Sequence, residues 1–392
     1  MKQELLNRVN KLRAKMQDHS LDSYIITSDE DIWYFTNITY MQQERPFILI
    51  LTLDKNPIFV VPKLEEKHVK KGILDVDIIT YWEYPSPQGT EWQNVLNEIV
   101  PKLGRIGIEN NVKTEVFLNI ESQELTPSNL VAEQRKIKSD YEIDKIRLSS
   151  KITDRAMMEI FKSIYKGASV LEPFTLSKNI QTDLIKNKQF DPLTTTLLTV
   201  VWPAPGSAMP HSVPNLGDKL GKGPNVGMSY YRINGYAAEC ERTLFLEQPG
   251  KDDVELFHHM MEARKKALSV LKDGIRAADV DSEARDYLSK NGLLSNLLHR
   301  TGHGVGLGNH EAPFLAEGSD EILKEGMVVT IEPGIYIEGI GGYRHSDTIL
   351  ITRDGYELLT KAPLDLEDVT IKSSNFAAKI KGSFIRKMLK IN

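Results

Sequence analysis

With 392 residues, of which 41% are hydrophobic, 26% charged and 8% aromatic, the chain is too apolar for a disordered polymer and long enough for two domains with cores of their own. A net charge of −5 supplies no field to collect phosphate backbones, so no nucleic acid is expected, and small molecules or short peptides are the expected partners. The single cysteine, Cys240, forbids an intrachain disulfide, and no uninterrupted apolar run reaches the roughly 18 residues of a membrane span. No integral membrane segment is expected, and the cytoplasm is the expected location.

In chain order, Leu5, Val9, Leu12 and Met16 recur at three- and four-residue spacing, which predicts an amphipathic first helix. Short β-rich runs follow: SYIIT from 23, PFILILTL from 46, NPIFVVP from 56, VDIITYW from 76 and RIGIE from 105. The turn signal DKNP at 54–57 makes a hairpin of two of them. These runs and the helices between them predict a small α/β domain over residues 1–122. A second domain over 123–371 begins with long amphipathic helices, with Ile143, Ile146, Met157, Ile160 and Phe161 on one buried stripe. Strands return in NVGMSYY, GYAAECERTLFL, GMVVTIEPGIYI and RHSDTILIT. The tail, 372–392, carries six Lys or Arg and no acid, with Phe376, Ile380, Phe384 and Met388 four residues apart. It reads as a basic amphipathic helix, to be laid on a membrane surface or partner, or packed on its own protein.

The strongest chemical signal is HRTGHGVGLGNHEAP, where His299, His303 and His310 fall among glycines that permit close backbone approach. PHSVP places His211 in a loop stiffened by prolines. In GYAAECERTLFL the alternation of a strand sets Glu239, Glu241 and Thr243 on one face, with Cys240 and Arg242 on the other. Two carboxylates on one face either bind a cation or a guanidinium-like group, or line a solvated sheet edge. Glu332, in TIEPGIYIEG, ends an apolar strand, where an acid is costly to bury unless paired. Glu338 follows it, just before the glycines of GIGG.

Together these segments resemble the pita-bread family of methionine aminopeptidase, prolidase, aminopeptidase P and creatinase, over nearly the whole chain. The resemblance implies an α/β (α+β) protein: a creatinase-type N-terminal α/β domain, then a pita-bread domain whose curved, mainly antiparallel sheet is covered by helices. Metallopeptidases of that family hold two metal ions with two aspartates, one histidine and two glutamates. His303 in GHGVGL and Glu332 in IEPG match two of these positions, whereas Met228, Glu239 and Ser346 stand at the other three. A thioether and a hydroxyl are poor ligands for hard divalent ions, so loss of the dinuclear site is expected.

Within the family, ERTLFL and GIGGYRHSDTILI are most similar to creatinase, which hydrolyses its substrate without a metal. That resemblance implies His211 as general acid and base, Glu241 and Glu338 as the carboxylates that hold a guanidinium, and His310 as a substrate-contacting histidine. It also implies a homodimer in which Arg45, in QQERPFILI, reaches the neighbouring site. A second arginine of creatinase has no counterpart in FLAEGSDEILKEG, so the creatine substrate itself is not implied. The expected function is metal-independent hydrolysis of a C–N bond in a small polar, guanidino or amide substrate. His211, His303 and His310 would be catalytic, and Glu239, Glu241, Glu338, His299 and Arg45 would bind substrate. No cofactor is expected on this reading. The alternatives are a prolidase-like Xaa-Pro dipeptidase or aminopeptidase with one divalent metal (Mn, Co or Zn) on His303, Glu332, Glu239 and also His345, and a non-catalytic binding module.

Overall fold

Helix spacing and turn chemistry account for most of the first unit. The computed structural model describes residues 1–41, 43–122, 124–371 and 376–390, and the chain divides into two compact units, Met1–Arg135 and Lys136–Asn392. In the first, α1 (Lys2–Asp18) buries Leu5, Val9, Leu12 and Met16, the stripe that its sequence spacing predicts. Strands β1 (Ser23–Ile26), β2 (Ile48–Thr52), β3 (Ile58–Pro62), β4 (Asp77–Tyr81), β5 (Ile106–Glu109) and β6 (Leu125–Ser128) form one sheet in the order β4-β3-β2-β1-β5-β6. The DKNP turn joins β2 to β3 as an antiparallel hairpin in which Ile48 faces Val60. Helices α2 (Asp29–Thr36), α3 (Glu66–Val69), α4 (Trp92–Ile99) and α5 (Thr114–Leu118) complete the unit, and α6 (Leu130–Lys136) closes it.

The sequence reading ends the first domain at 122, whereas the two units part between Arg135 and Lys136. The reason is β6, which pairs parallel to β5 with Ile106 opposite Leu125. Its four residues, LTPS, are partly exposed on a sheet edge, where a proline is tolerated, and carry no apolar alternation to announce a strand.

The second unit starts at α7 (Asp140–Ser163), whose first turn is fixed by a capping box between Ser139 and Glu142. Ile146, Met157, Ile160 and Phe161 are buried, and Ile143 is half-buried. After α8 (Leu171–Phe174) and α9 (Leu176–Lys186) come β7 (Thr196–Trp202), β8 (Asn225–Ile233) and β9 (Tyr236–Leu244). Helices α10 (Lys251–Ser269) and α11 (Ala277–Lys290) precede β10 (Gly302–Gly304), β11 (Glu311–Leu315), β12 (Val328–Ile331), β13 (Gly334–Ile337), β14 (Gly341–Arg344), β15 (Ser346–Thr352) and β16 (Gly355–Leu358). The main sheet is antiparallel in the order β11-β10-β12-β15-β9-β8-β7, with β16 alongside β15, and β13 and β14 form a separate ribbon. The tail helix α12 (Phe376–Met388) belongs to this unit; residues 372–375 and 391–392 of the predicted tail lie outside the described residues. No helix among the described residues is long and apolar enough to cross a membrane.

Strand β9 lies between β15 and β8 and is buried along its whole length, so both of its faces carry packing or pairing. On the face away from Glu239 and Glu241, the Arg242 guanidinium is completely buried. It donates to Asp347 Oδ1 at 2.8 Å and to the carbonyls of Ser346, Ala362 and Pro363. Arg264 of α10 donates to the other oxygen of Asp347 at 2.6 Å. This Arg-Asp-Arg group locks β9 to β15, and a buried pair that loses one partner leaves an uncompensated charge. Asp347→Asn is expected to lower the unfolding free energy by about 3–5 kcal/mol, read as a lowered urea midpoint.

Candidate active site

Register alone brings the candidate carboxylates together. Across β8 and β9, Met228 faces Glu241 and Tyr230 faces Glu239; across β9 and β15, Ser346 faces Glu241. Glu239 and Glu241 therefore point to the same side, into the protein rather than to a solvated edge, and both are buried. The Ser346 hydroxyl donates to Glu239 Oε1 at 2.9 Å.

His303 enters from β10, where two glycines are required by close packing. A Cβ on Gly302 would lie 2.0 Å from the Thr330 carbonyl oxygen, and one on Gly304 would lie 2.3 Å from that of Ala312. The backbone N–H of Thr301 donates to Asp281 of α11 at 2.9 Å, and that of Glu332 donates to the Thr301 carbonyl at 2.8 Å. These bonds fix the segments carrying His303 and Glu332 to each other. The Gly304 carbonyl lies 3.1 Å from His303 Nδ1 and assigns a proton to that nitrogen, which turns Nε2 toward Glu332 Oε1 at 3.1 Å. His303 Nε2 is buried and makes no well-aligned hydrogen bond.

The ligand atoms of Glu239, His303 and His310 lie within 4.8 Å of one another, as do those of Glu239, Glu241 and Glu332, so Glu239 is common to both clusters. Burial and the neighbouring Glu332 push Glu239 up to about 7. Burial also opposes the charge on His303, yet Glu332 and the other acids raise it to about 9, and the same contact holds Glu332 below the usual carboxylate range against its own burial. Arg344 supplies a second cation. Its Nη2 donates to Glu241 Oε1 at 2.6 Å, its Nε faces the other oxygen of that carboxylate, and its Nη1 donates to the Tyr336 hydroxyl at 3.0 Å. Burial keeps Glu241 above the usual carboxylate range even so.

Three further histidines are arranged around this centre. His299 has Nδ1 on the Arg300 carbonyl at 2.8 Å and Nε2 on the Tyr336 hydroxyl at 2.7 Å, and its burial keeps it below its ordinary value. His310 is exposed and stacks on His303 with ring centroids 3.9 Å apart. Arg300 Nη2 donates to its Nδ1 at 3.0 Å; partial burial and the charge on His303 lower it to about 4, so the ring is neutral at neutral pH. His211 is exposed on the loop after β7, which is tied down where Trp202 Nε1 donates to the Ser212 carbonyl at 2.6 Å. It lies near enough for its charge to disfavour protonation of both His299 and His310.

Two predicted positions, Glu338 and His345, lie away from this cluster. Glu338 is exposed on the turn between β13 and β14, and the third carboxylate beside Glu239 and Glu241 is Glu332. The turn carries Glu338 outward because β13 and β14 pair as their own ribbon. Arg45 belongs to the first unit and is paired there with Glu83 and Glu44. His345 points to the opposite side of the chain from Ser346 and packs edge-on to Phe257 with centroids 5.3 Å apart, so it offers nothing to a metal beside Glu239. The sequence reading missed Arg344 and Tyr336. Period-two alternation through RHS, which sets Arg344 and Ser346 on one side and His345 on the other, was the available signal for the arginine.

The antiparallel sheet with its attached ribbon, and the His-carboxylate cluster within it, are those of a pita-bread hydrolase. The chain belongs to metallopeptidase family M24: the family model matches residues 144–353, and the Creatinase/Prolidase N-terminal domain model matches 8–148. An uncharacterized peptidase of Staphylococcus aureus (strain bovine RF122 / ET3-1) is 29% identical over 364 residues, spanning 91% of this chain and 99% of that protein. A solved Xaa-Pro dipeptidase from Bacillus anthracis superposes with a TM-score of 0.79 at 27% identity, covering 92% of this chain and 99% of that one. The prolidase from Pyrococcus horikoshii OT3 gives 0.76 at 27% identity, with the same coverage. The protein is thus an enzyme, a hydrolase acting on C–N bonds.

His345 gives a pH signature separate from catalysis. Complete burial, with Arg242 and Arg264 nearby, holds it well below its ordinary value. Below about pH 6.5 the unfolded chain binds a proton that the folded chain refuses, so stability falls with falling pH, by up to about 1.4 kcal/mol per pH unit. His345→Phe is expected to flatten that part of the urea-midpoint profile on the acid side; an unchanged slope would remove the assignment.

Proposed function

We propose that the protein cleaves the C–N bond of a short peptide of the Xaa-Pro type named for the Bacillus anthracis enzyme, with one divalent ion held by Glu239, His303 and Glu332. The observation that carries this reading is that Glu239 shares one cluster of ligand atoms with His303 and another with Glu332, and that the poorly partnered His303 Nε2 lies 3.1 Å from Glu332 Oε1. The set does not fit two ions. Met228 and Ser346 both face Glu241 where the family pattern requires hard oxygen ligands, and the Ser346 hydroxyl already donates to Glu239. One imidazole and two carboxylates do fit a single Mn, Co or Zn ion with a position left open for substrate or water. When bound, such an ion polarises a carbonyl and acidifies water.

The chain's own groups supply the rest. Arg344, held by Glu241 and Tyr336, offsets the buried negative charge and keeps the carboxylates together. His310, neutral and stacked on His303, and His299, fixed by Tyr336, border the site and orient substrate. His211, on the exposed loop, moves a proton between water and the leaving nitrogen.

The test is elemental analysis of protein incubated with manganese, cobalt or zinc and desalted, paired with turnover of Xaa-Pro dipeptides. About one ion per chain is expected. Glu332→Gln should lose it and reduce turnover by more than about a hundredfold.

A second reading, metal-independent hydrolysis of a small guanidino or amide substrate, is favoured by one observation: Met228 and Ser346 occupy the ligand positions. It requires that no ion be retained and that His211→Ala abolish turnover of guanidino acids or small amides. The two readings also separate through Met228→Asp combined with Ser346→Glu. Restoring two oxygen ligands should raise the metal content toward about two ions per chain if the site is a reduced metallopeptidase centre.

A further inference from the structure

Helix α12 has two unlike faces. One is docked on its own unit: Gly382 is buried, and a Cβ there would lie 1.9 Å from Glu172 Oε2, so the helix backbone comes close to that side chain. Arg386 pairs with the same Glu172, and its Nη1 donates to the Tyr165 hydroxyl at 3.0 Å. Gly382 and Arg386, four residues apart, define the inner face.

The other face is apolar and uncovered. Phe376, Ile380, Phe384 and Met388, also four residues apart, are 75%, 57%, 67% and 61% exposed, which is unusual for a contiguous ridge of large side chains. Residues 376–390 contain Lys379, Lys381, Arg386, Lys387 and Lys390 and no acid, whereas the whole chain carries a net charge of −5. Lys381 and Lys387 sit near the flanks of the ridge on the helical repeat, where long side chains bury their stems and keep their charges in water. An apolar ridge bordered by cations, on a protein otherwise repelled by negative surfaces, complements an anionic lipid surface rather than a mixed-charge protein face.

We propose that α12 is a peripheral membrane anchor, fixed to the enzyme through Glu172 and lying with its Phe376–Met388 ridge in the interfacial layer of an anionic bilayer. This inference is independent of the reaction at the active site. It also goes beyond the two options the sequence left open, since one helix packs on its own protein while presenting the membrane face.

The experiment is co-sedimentation of the full chain with vesicles of phosphatidylcholine alone and of phosphatidylcholine mixed with phosphatidylglycerol. Binding to the mixed vesicles only, weakened by added salt, is expected. Ile380→Ser with Phe384→Ser should reduce the bound fraction by more than about tenfold. Lys381→Glu with Lys387→Glu, which keeps the ridge, should abolish the preference for anionic lipid. Both pairs change solvent-facing residues, and circular dichroism checks that the fold survives. Absence of the full chain from the vesicle pellet, or undiminished binding by the serine variant, overturns the proposal. So does a self-association in solution, abolished by the same serine pair, without vesicle binding: the ridge would then be an interface between copies of the chain.

Discussion

Three carboxylates buried side by side cannot all be ionised without compensating charge, and the centre of the second unit is organised by that constraint. Glu239, Glu241 and Glu332 converge from β9 and the end of β12, where water is largely excluded. Two cations answer them. Arg344 grips Glu241 through both of its oxygens, and His303 stands against Glu332. Glu239, left with a hydroxyl partner and a like charge nearby, is the member held closest to neutral pH. Chemistry at this site therefore depends on how charge is shared within the cluster rather than on any one residue.

The opposite side of β9 repeats the same principle with the signs reversed. There a single carboxylate, Asp347, sits between two guanidinium groups, Arg242 and Arg264, and the backbone carbonyls of Ser346, Ala362 and Pro363 absorb further N–H groups of Arg242. Because Arg242 directly follows Glu241, and Asp347 directly follows Ser346, the buried charged layer on one side sets the strand alignment that the acidic cluster on the other requires. His345, between Arg344 and Ser346, is left facing Phe257.

The comparison with M24 enzymes sharpens the significance of two residues. The match of the family model over residues 144–353 places the chain in the family, and Met228 and Ser346 put a thioether and a hydroxyl beside Glu241. Neither change disturbs the strands, since both side chains are accommodated in unbroken β8, β9 and β15 pairing. A thioether and a hydroxyl are poorer ligands for hard cations than carboxylates are.

The amino-acid sequence by itself determined the local features that rest on short-range physics. Examples are the buried stripe of α1, the β2–β3 hairpin at DKNP, and the shared face of Glu239 and Glu241, which follows from strand alternation alone. It also marked His303 and Glu332 through their glycine- and proline-bearing motifs. It did not reveal β6, whose polar edge residues carry no alternation, and so set the domain boundary too early. Tertiary structure alone decided which distant segments meet. It chose Glu332 rather than Glu338 as the third carboxylate, because β13 and β14 fold into a separate ribbon that carries Glu338 to solvent. It assigned Arg344 to Glu241, neutralised His310 through partial burial and the charge on His303, and uncovered the ridge of α12 by docking its other face on Glu172. Alternation and spacing act over a few residues, whereas charge compensation acts through space, and only the folded chain brings the compensating groups within reach of one another.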